Sequence, residues 1–408
     1  MPLQPAYPPV KPVLLLVHIG DVQMRGSERC LLNLIKGIDA NHYDLVLWSN
    51  HKELSAQAEP FLQETLLTEF SPPFGFSYPA SGNSAWADFS KLVHEGRALI
   101  DRIQPSLIVC NSLAPCQWMV PASLLTGVPL LAYLHTNYLP KSRLLSFVYG
   151  ASHIVGVSQF TLKELRGDGY PQRHSSVVYN GVEDLSPQPH GRLAFRQKLG
   201  ISSAEFVVTS LCALVEWKKV DLVIEAFRLL SRNGANPCAL LVIGEGPCKE
   251  NLQKQADGLR VIFCGWRTDI ADILAATDCI AVAAEREAFG LTVTEAASMN
   301  VPVVGARSGG LCEVIKPGMT GLFAEPGSAT SFADALAKLR DNPHLRAKLG
   351  QNARSDYIEN YKVEKMVSNM TILIDKFSSQ THFYSSVKRL VSLLYFNMRL
   401  VLRKIFKY

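Results

Sequence analysis

Short apolar runs alternate along the chain with segments whose apolar positions recur at helical spacing, a pattern that predicts strands separated by helices. In the first half, Val13–Ile19, Asp44–Trp48, Leu107–Cys110, Leu130–His135, Ile154–Val157 and Val177–Tyr179 are expected as buried strands, and Glu28–Ile38 as a helix capped by Ser27. In the second half, FVVTSLCALV from Phe206, ALLVIGEGP from Ala239, RVIFCGW from Arg260, CIAVAA from Cys279, VPVVGA from Val301 and TGLFAEPG from Thr320 repeat the theme. Helices are expected between them, at Asp269–Ala276, over LTVTEAASM from Leu291, and near Ser331–Arg340. Such alternation argues for α/β architecture with doubly wound parallel sheets.

The 408 residues are enough for two domains of ordinary size. The polar, Pro-containing stretch LSPQPHGR at 185–192 separates a first domain, 13–184, from a second, 193–355. A helical segment follows at 356–378, with apolar residues at helical spacing, and then a tail at 379–408. Residues 1–12 are Pro-rich and expected to be disordered, and 71–86, rich in Pro, Gly and Ser, reads as a long loop.

Charge is uneven. The net charge is +5, yet residues 382–408 hold six Lys and Arg and no acid, so the rest of the chain carries −1. A nearly neutral body argues against nucleic-acid binding. On a helical wheel of ~100° per residue, Lys388, Arg389, Arg399, Arg403, Lys404 and Lys407 fall within roughly 160° of arc, with most Leu, Val and Met opposite. That predicts a basic amphipathic helix lying on an anionic membrane surface, the alternative being a helix packed on the protein itself or on a second copy. No stretch has 18 uninterrupted apolar residues. Nine cysteines without a C-x-x-C pair indicate neither a zinc site nor a disulfide framework, and fit a reducing compartment.

Chemistry concentrates in the stretch Cys279 to Gly310. A strand, a loop with Gly290 at its turn, a helix and another strand follow in order, and in open α/β sheets ligands bind at such a strand's carboxyl end. The backbone N–H groups of Phe289, Gly290 and Leu291, at a helix N-terminus, suit phosphate. Glu287 on the loop and Glu295 about one turn into the helix would repel an anion, so they suit neutral hydroxyls. Hydroxyls beside phosphate suggest a nucleotide sugar.

This stretch resembles the E-x7-E signature of the retaining family-4 glycosyltransferases, which have the GT-B fold of two Rossmann-like domains facing a cleft. Glu287 and Glu295 match both glutamates, and Phe289-Gly290-Leu291 and Pro302-Val303-Val304 match the surrounding text. The resemblance extends over about residues 13–377. It implies that Glu287 contacts the sugar hydroxyls, Glu295 the ribose, and Lys218 of EWKKVDLVIEAFRLL the donor diphosphate. It places His135 of LLAYLHTN against the donor sugar, the backbone at Trp266–Arg267 near the nucleobase, and Gly26 of MRGSERCLLNLIKGI near the donor phosphates or the acceptor. Gly26, Glu28 and Arg29 match the family's G-G-x-E-R loop, but Arg25 replaces its first Gly. Ser158, Asn180 and Gly181 match architectural positions, and Glu313 is a cap-region carboxylate or a site residue. The family's phosphate-binding Arg and its Gly fall on Ala213 and Cys212, and one lost charge-assisted contact costs about 1.5–3 kcal/mol. Lys219, Arg25 and Arg286 are the candidates to compensate. By themselves these residues have plain readings as well: Ser27 and Glu28 as capping, Lys218 as a solvated lysine, His135 as a structural imidazole.

The expectation is therefore a retaining glycosyltransferase, using a UDP- or GDP-type donor as substrate with no cofactor and no metal. Its acceptor would be a glycan or a lipid-linked chain in cell-surface polysaccharide or glycolipid synthesis. It would be cytoplasmic, attached peripherally to the inner face of the membrane. The alternatives are a non-catalytic GT-B protein that binds sugar or a partner, and a sugar-nucleotide epimerase or hydrolase on a similar fold.

Overall fold

The computed structural model describes residues 11–74, 85–185, 191–232, 237–379 and 383–406, the side chains of 383–385 and 403–406 apart. Residues 1–10, most of the 71–86 loop and most of the 185–192 link lie outside the described residues, as do Lys407 and the side chains of Arg403 and Lys404. The chain forms two compact units: one takes in the chain up to Val178 and again from Val363 onward, the other is Tyr179–Lys362. The crossing thus falls ahead of the 185–192 link.

Among the described residues the first unit has seven strands: β1 (Val13–His18), β2 (Asp44–Ser49), β3 (Glu64–Leu67), β4 (Leu107–Asn111), β5 (Leu130–Leu134), β6 (His153–Gly156) and β7 (Ser175–Val177). They form one sheet in the order β3-β2-β1-β4-β5-β6-β7, every pair parallel. The second unit has β8 (Phe206–Leu211), β9 (Cys238–Ile243), β10 (Val261–Gly265), β11 (Cys279–Val282), β12 (Val303–Ala306) and β13 (Gly321–Ala324). Their order is β10-β9-β8-β11-β12-β13, again all parallel. Central strands such as β4 and β5 are buried along their whole length, as parallel strands covered on both faces must be. Each order reverses direction once, between β1 and β4 and between β8 and β11. At such switch points successive connections leave to opposite faces and open a crevice at the carboxyl ends of the strands.

Some expectations shift. The edge strand β3, ETLL, is only half-buried and lacks an apolar run, so hydrophobic pattern alone misses it. The last strand of the first sheet is Ser175–Val177 rather than Val177–Tyr179, and His135 lies one residue past β5. The first helix is Gly26–Gly37, which puts Ser27 inside it; the Arg25 amide at its start donates to Glu28 Oε2 at 3.0 Å, so the carboxylate does the capping.

The tail is a helix, Phe383–Phe406, but not with the expected face outward. Leu393, Phe396 and Leu400 are buried in the first unit's core beside Trp118, Tyr149 and Tyr170. Arg389, counted on the basic arc expected to lie on a membrane surface, is buried with them. Its guanidinium donates to Gly150 O (2.8 Å), Val128 O (3.2 Å) and Ser123 Oγ (2.6 Å), a fork satisfied by fixed oxygens, and burial lowers its pKa to about 10. Arg399 lies against the backbone of Gly169. Val387, Leu390, Val391, Leu394 and Met398 are exposed instead. Among the described residues no helix is long and apolar enough to cross a membrane.

Removing a buried aromatic ring costs about 3 kcal/mol or more. Phe396→Ala is therefore expected to speed amide hydrogen exchange across Phe383–Phe406, while Leu394→Ala, on the exposed face, leaves it unchanged.

Candidate functional site

In the second unit the connections bearing Lys218 and Glu287 meet at the carboxyl ends of β8 and β11, its switch point. After β8 the chain turns through Cys212 and Ala213 into a single helical turn, Glu216–Lys218, and then the helix Val220–Arg232. After β11 it runs through Glu287 to the helix Leu291–Ser298. Lys218 Nζ meets Glu287 Oε2 at 2.5 Å, with both side chains mostly covered, and lies 4.3 Å from the centre of the Trp217 ring. The amide of Glu285 donates to Trp217 O and Thr292 Oγ1 to Leu211 O, fastening the second connection to the first.

The Glu287 loop is held from behind. Gly310 N donates to Glu287 O at 2.7 Å. At Gly309, with φ +55°, a Cβ would lie 2.3 Å from that same oxygen, so only glycine lets the two backbones approach. Gly290, at φ +102°, turns the chain into the helix, whose first internal bonds are Val293 and Thr294 N–H to Gly290 O. The amides of Gly290, Leu291 and Thr292 precede those bonds and carry the helix's positive end.

Other expected residues have definite partners. Phe289 is buried, its ring 5.9 Å from those of Tyr179 and Tyr361, so its side chain belongs to the core. Glu295 is half-buried on the second turn of the helix. Arg267 donates from Nε and Nη2 to the two carboxylate oxygens of Asp269 and lies over Phe195. Glu313 accepts from the Tyr179 hydroxyl at 3.2 Å; burial and that carboxylate push the phenol up to about 12. Of the cations expected to compensate for Ala213, Lys219 is paired with Glu285 (3.4 Å) and Arg25 with Asp21 (2.9 Å).

In the first unit a second polar cluster sits at the switch point between β1 and β4. His18 ends β1 and Asn111 ends β4, and the two are register partners. His18 Nε2 meets Glu28 Oε1 at 3.0 Å, and Asn111 Oδ1 meets His135 Nε2 at 2.7 Å. Burial alone would raise the Glu28 pKa, but the hydrogen bond and charge of His18, with backbone and Ser27 hydroxyl donors, hold it down at about 2. Gly26 opens the helix that carries Glu28. His18 and Asn111 were not among the expected site residues, although each is the polar last residue of an apolar run, which is the available signal.

Two family descriptions match this sequence. Residues 24–184 match the model described as Glycosyltransferase Family 4, and residues 191–356 match that described as Glycosyl transferases group 1. The chain belongs to this glycosyltransferase family. It is 30% identical over 220 residues to N-acetyl-alpha-D-glucosaminyl L-malate synthase of Bacillus anthracis, an alignment covering 53% of this chain and 57% of that one. It is 30% identical over 173 residues to the lipopolysaccharide core biosynthesis glycosyltransferase LpsE of Rhizobium meliloti, covering 41% and 49%. The chain spans about half the length of the curated relatives it matches. Among solved structures, Anabaena HepE in complex with UDP-glucose superposes with a TM-score of 0.75 at 20% identity, covering 89% of this glycosyltransferase chain and 99% of HepE. A glycosyltransferase from Rickettsia africae gives 0.77 at 19% identity, covering 91% and 100%. The fold is GT-B, and the chain carries a C-terminal helix, Phe383–Phe406.

A carboxylate whose pKa is lowered by folding stabilises above its unfolded pKa and loses that contribution as pH falls through the folded one. For Glu28 the window runs from its ordinary 4.5 down to about 2, and the contribution is on the order of 3 kcal/mol. Glu28→Gln is expected to lower the urea midpoint at neutral pH, with the gap to wild type closing as pH falls through this window.

Proposed function

We propose that this glycosyltransferase chain transfers a sugar, with retention, from a UDP- or GDP-type donor bound by the second unit to a glycan or lipid-linked acceptor. The observation that carries this reading is the grouping of Lys218, Glu287 and the leading amides of Leu291–Ser298 at one switch point. In the reaction the sugar's C1–O bond to the diphosphate breaks and a bond from the acceptor oxygen to C1 forms on the same face. The acceptor's proton leaves with the departing phosphate. Negative charge grows on that phosphate, and in this reading Lys218 and the helix amides neutralise it, the kind of contact that contributes most to catalysis. In the free protein Glu287 holds Lys218; donor binding exchanges this pair, Lys218 turning to the diphosphate and Glu287 to the sugar hydroxyls. Glu295 takes the ribose hydroxyls, Phe289, Gly290 and Leu291 contribute backbone, Arg267 lies by the base, and His135 and Gly26 act from the first unit. The UDP-glucose bound to HepE supports a UDP-type donor.

The acceptor side draws on the tail. Among the described side chains, the exposed positions of the Phe383–Phe406 helix are mostly apolar and include Lys388, a composition suited to the interface of an anionic membrane. This reading places the enzyme peripherally on the cytoplasmic face, acting on envelope polysaccharide or glycolipid. The second reading, a non-catalytic protein that binds sugar or a partner, is favoured by Ala213 and by Arg25 in place of the family's first Gly.

Transfer of labelled sugar to extracted lipid-linked glycans tests the proposal. Lys218→Ala is expected to lower kcat/KM by about a hundredfold or more, and the product's anomeric proton coupling is expected to match the donor's configuration. Binding of donor without any transfer or hydrolysis would favour the non-catalytic reading. Leu394→Asp with Met398→Asp is expected to abolish sedimentation with phosphatidylglycerol vesicles; unchanged sedimentation would remove the membrane part of the account.

A further inference from the structure

The polar cluster of the first unit has a direction. Asn111 Nδ2 lies 3.2 Å from Ser27 O, a backbone carbonyl that can only accept, so the amide group of Asn111 points there. The same Nδ2 is 3.0 Å from His18 Nδ1. The other end of the side chain, Oδ1, therefore faces His135 Nε2 at 2.7 Å, and a carbonyl oxygen requires a donor opposite it. Neutral His18 closes the series, accepting at Nδ1 and donating from Nε2 to Glu28 Oε1 at 3.0 Å. If His18 carries a second proton, its Nδ1–H donates instead to Asn111 O at 3.2 Å, and Asn111 keeps its orientation through Ser27. The result at His135 is the same in both cases.

We infer that Glu28, His18 and Asn111 form a positioning chain that holds His135 in the tautomer protonated on Nε2, so that its Nδ1 is presented as a bare hydrogen-bond acceptor. His135 Nδ1 has no hydrogen-bond partner among the described residues, and the residue is partly exposed. The groups facing the imidazole are His18, Glu28 and, at 4.4 Å between ring centres, Tyr133. Burial, with the charge of His18 acting in the same direction and Glu28 opposing, lowers the His135 pKa to about 3, which keeps the ring neutral under ordinary conditions.

An acceptor-only nitrogen selects what it contacts. It takes an O–H group, whether a hydroxyl of the donor sugar or that of the incoming acceptor, and it repels phosphate and carboxylate oxygens. This consequence rests on the reading of His135 as a sugar contact in the proposed function; the tautomer itself is a property of the free protein. Asn111 and His18 act through His135 and touch no reacting atom.

Imidazole nitrogen resonances of the full chain, labelled at histidine and assigned by comparison with His135→Gln, read the tautomer directly. The expected spectrum has a protonated Nε2 and a pyridine-type Nδ1 at His135, unchanged between about pH 5 and about pH 8. Asn111→Leu is expected to lose this pattern. Asn111→Asp, whose carboxylate still accepts from Nε2–H, is expected to restore it, a rescue that mere packing would not produce. A protonated Nδ1 or an imidazolium at His135 in the wild-type protein would overturn the inference, whatever the stability of the variants. Adding UDP-glucose alone and then the glycan acceptor separates the two sources of hydroxyl, as a shift of Nδ1 with one or the other. A shift with neither, and unchanged transfer by His135→Ala, would remove the sugar-contact reading while leaving the positioning chain intact.

Discussion

Both polar clusters of this molecule depend on where a parallel sheet reverses its winding. Strands on either side of β1/β4 and of β8/β11 send their connections to opposite faces, which leaves the carboxyl ends of the central strands uncovered. The backbone there has run out of ladder partners, so polar side chains and helix ends collect. His18 and Asn111 occupy one such edge, and the loops bearing Lys218 and Glu287 occupy the other. The remaining strands and helices serve to hold these two edges still.

At both edges a carboxylate is given a side-chain partner rather than left to solvent. Glu28 is buried against His18, and Glu287 against Lys218. The two pairs differ in exposure. The first is almost wholly enclosed and tied to Arg25, Ser27 and Asn111, as suits a fixed support. The second keeps some access to solvent and lies on loops anchored by glycine contacts, which under the proposed function lets the pair separate on donor binding. Ala213 leaves the second edge with fewer cations than the family pattern supplies, and Lys219 is already engaged by Glu285.

The sequence made the sheets legible because fully buried strands are written as unbroken apolar runs. β3 escaped because ETLL, on the sheet edge, has no such run. The Glu287 and Glu295 region was legible because strand, loop and helix are contiguous. His18 and Asn111 were not, since their meeting depends on strand register between segments far apart in the chain. The tail shows a different limit. Its helix was legible, but its orientation turned on Arg389, whose three acceptors come from Ser123, Val128 and Gly150. A helical wheel counts an arginine as solvent-seeking and has no knowledge of oxygens supplied by another part of the chain.

The central claim is that the second unit binds a nucleotide sugar through the Glu287–Glu295 segment. Calorimetric titration with UDP, GDP and their sugar derivatives, on wild type and on Glu295→Ala, tests it most directly. The account predicts that one nucleotide series binds the wild-type chain and that the substitution weakens it by about tenfold or more, the loss of hydrogen bonds from a carboxylate to two hydroxyls. Binding equally tight in the variant would put the nucleotide elsewhere, and binding of neither series would contradict the account.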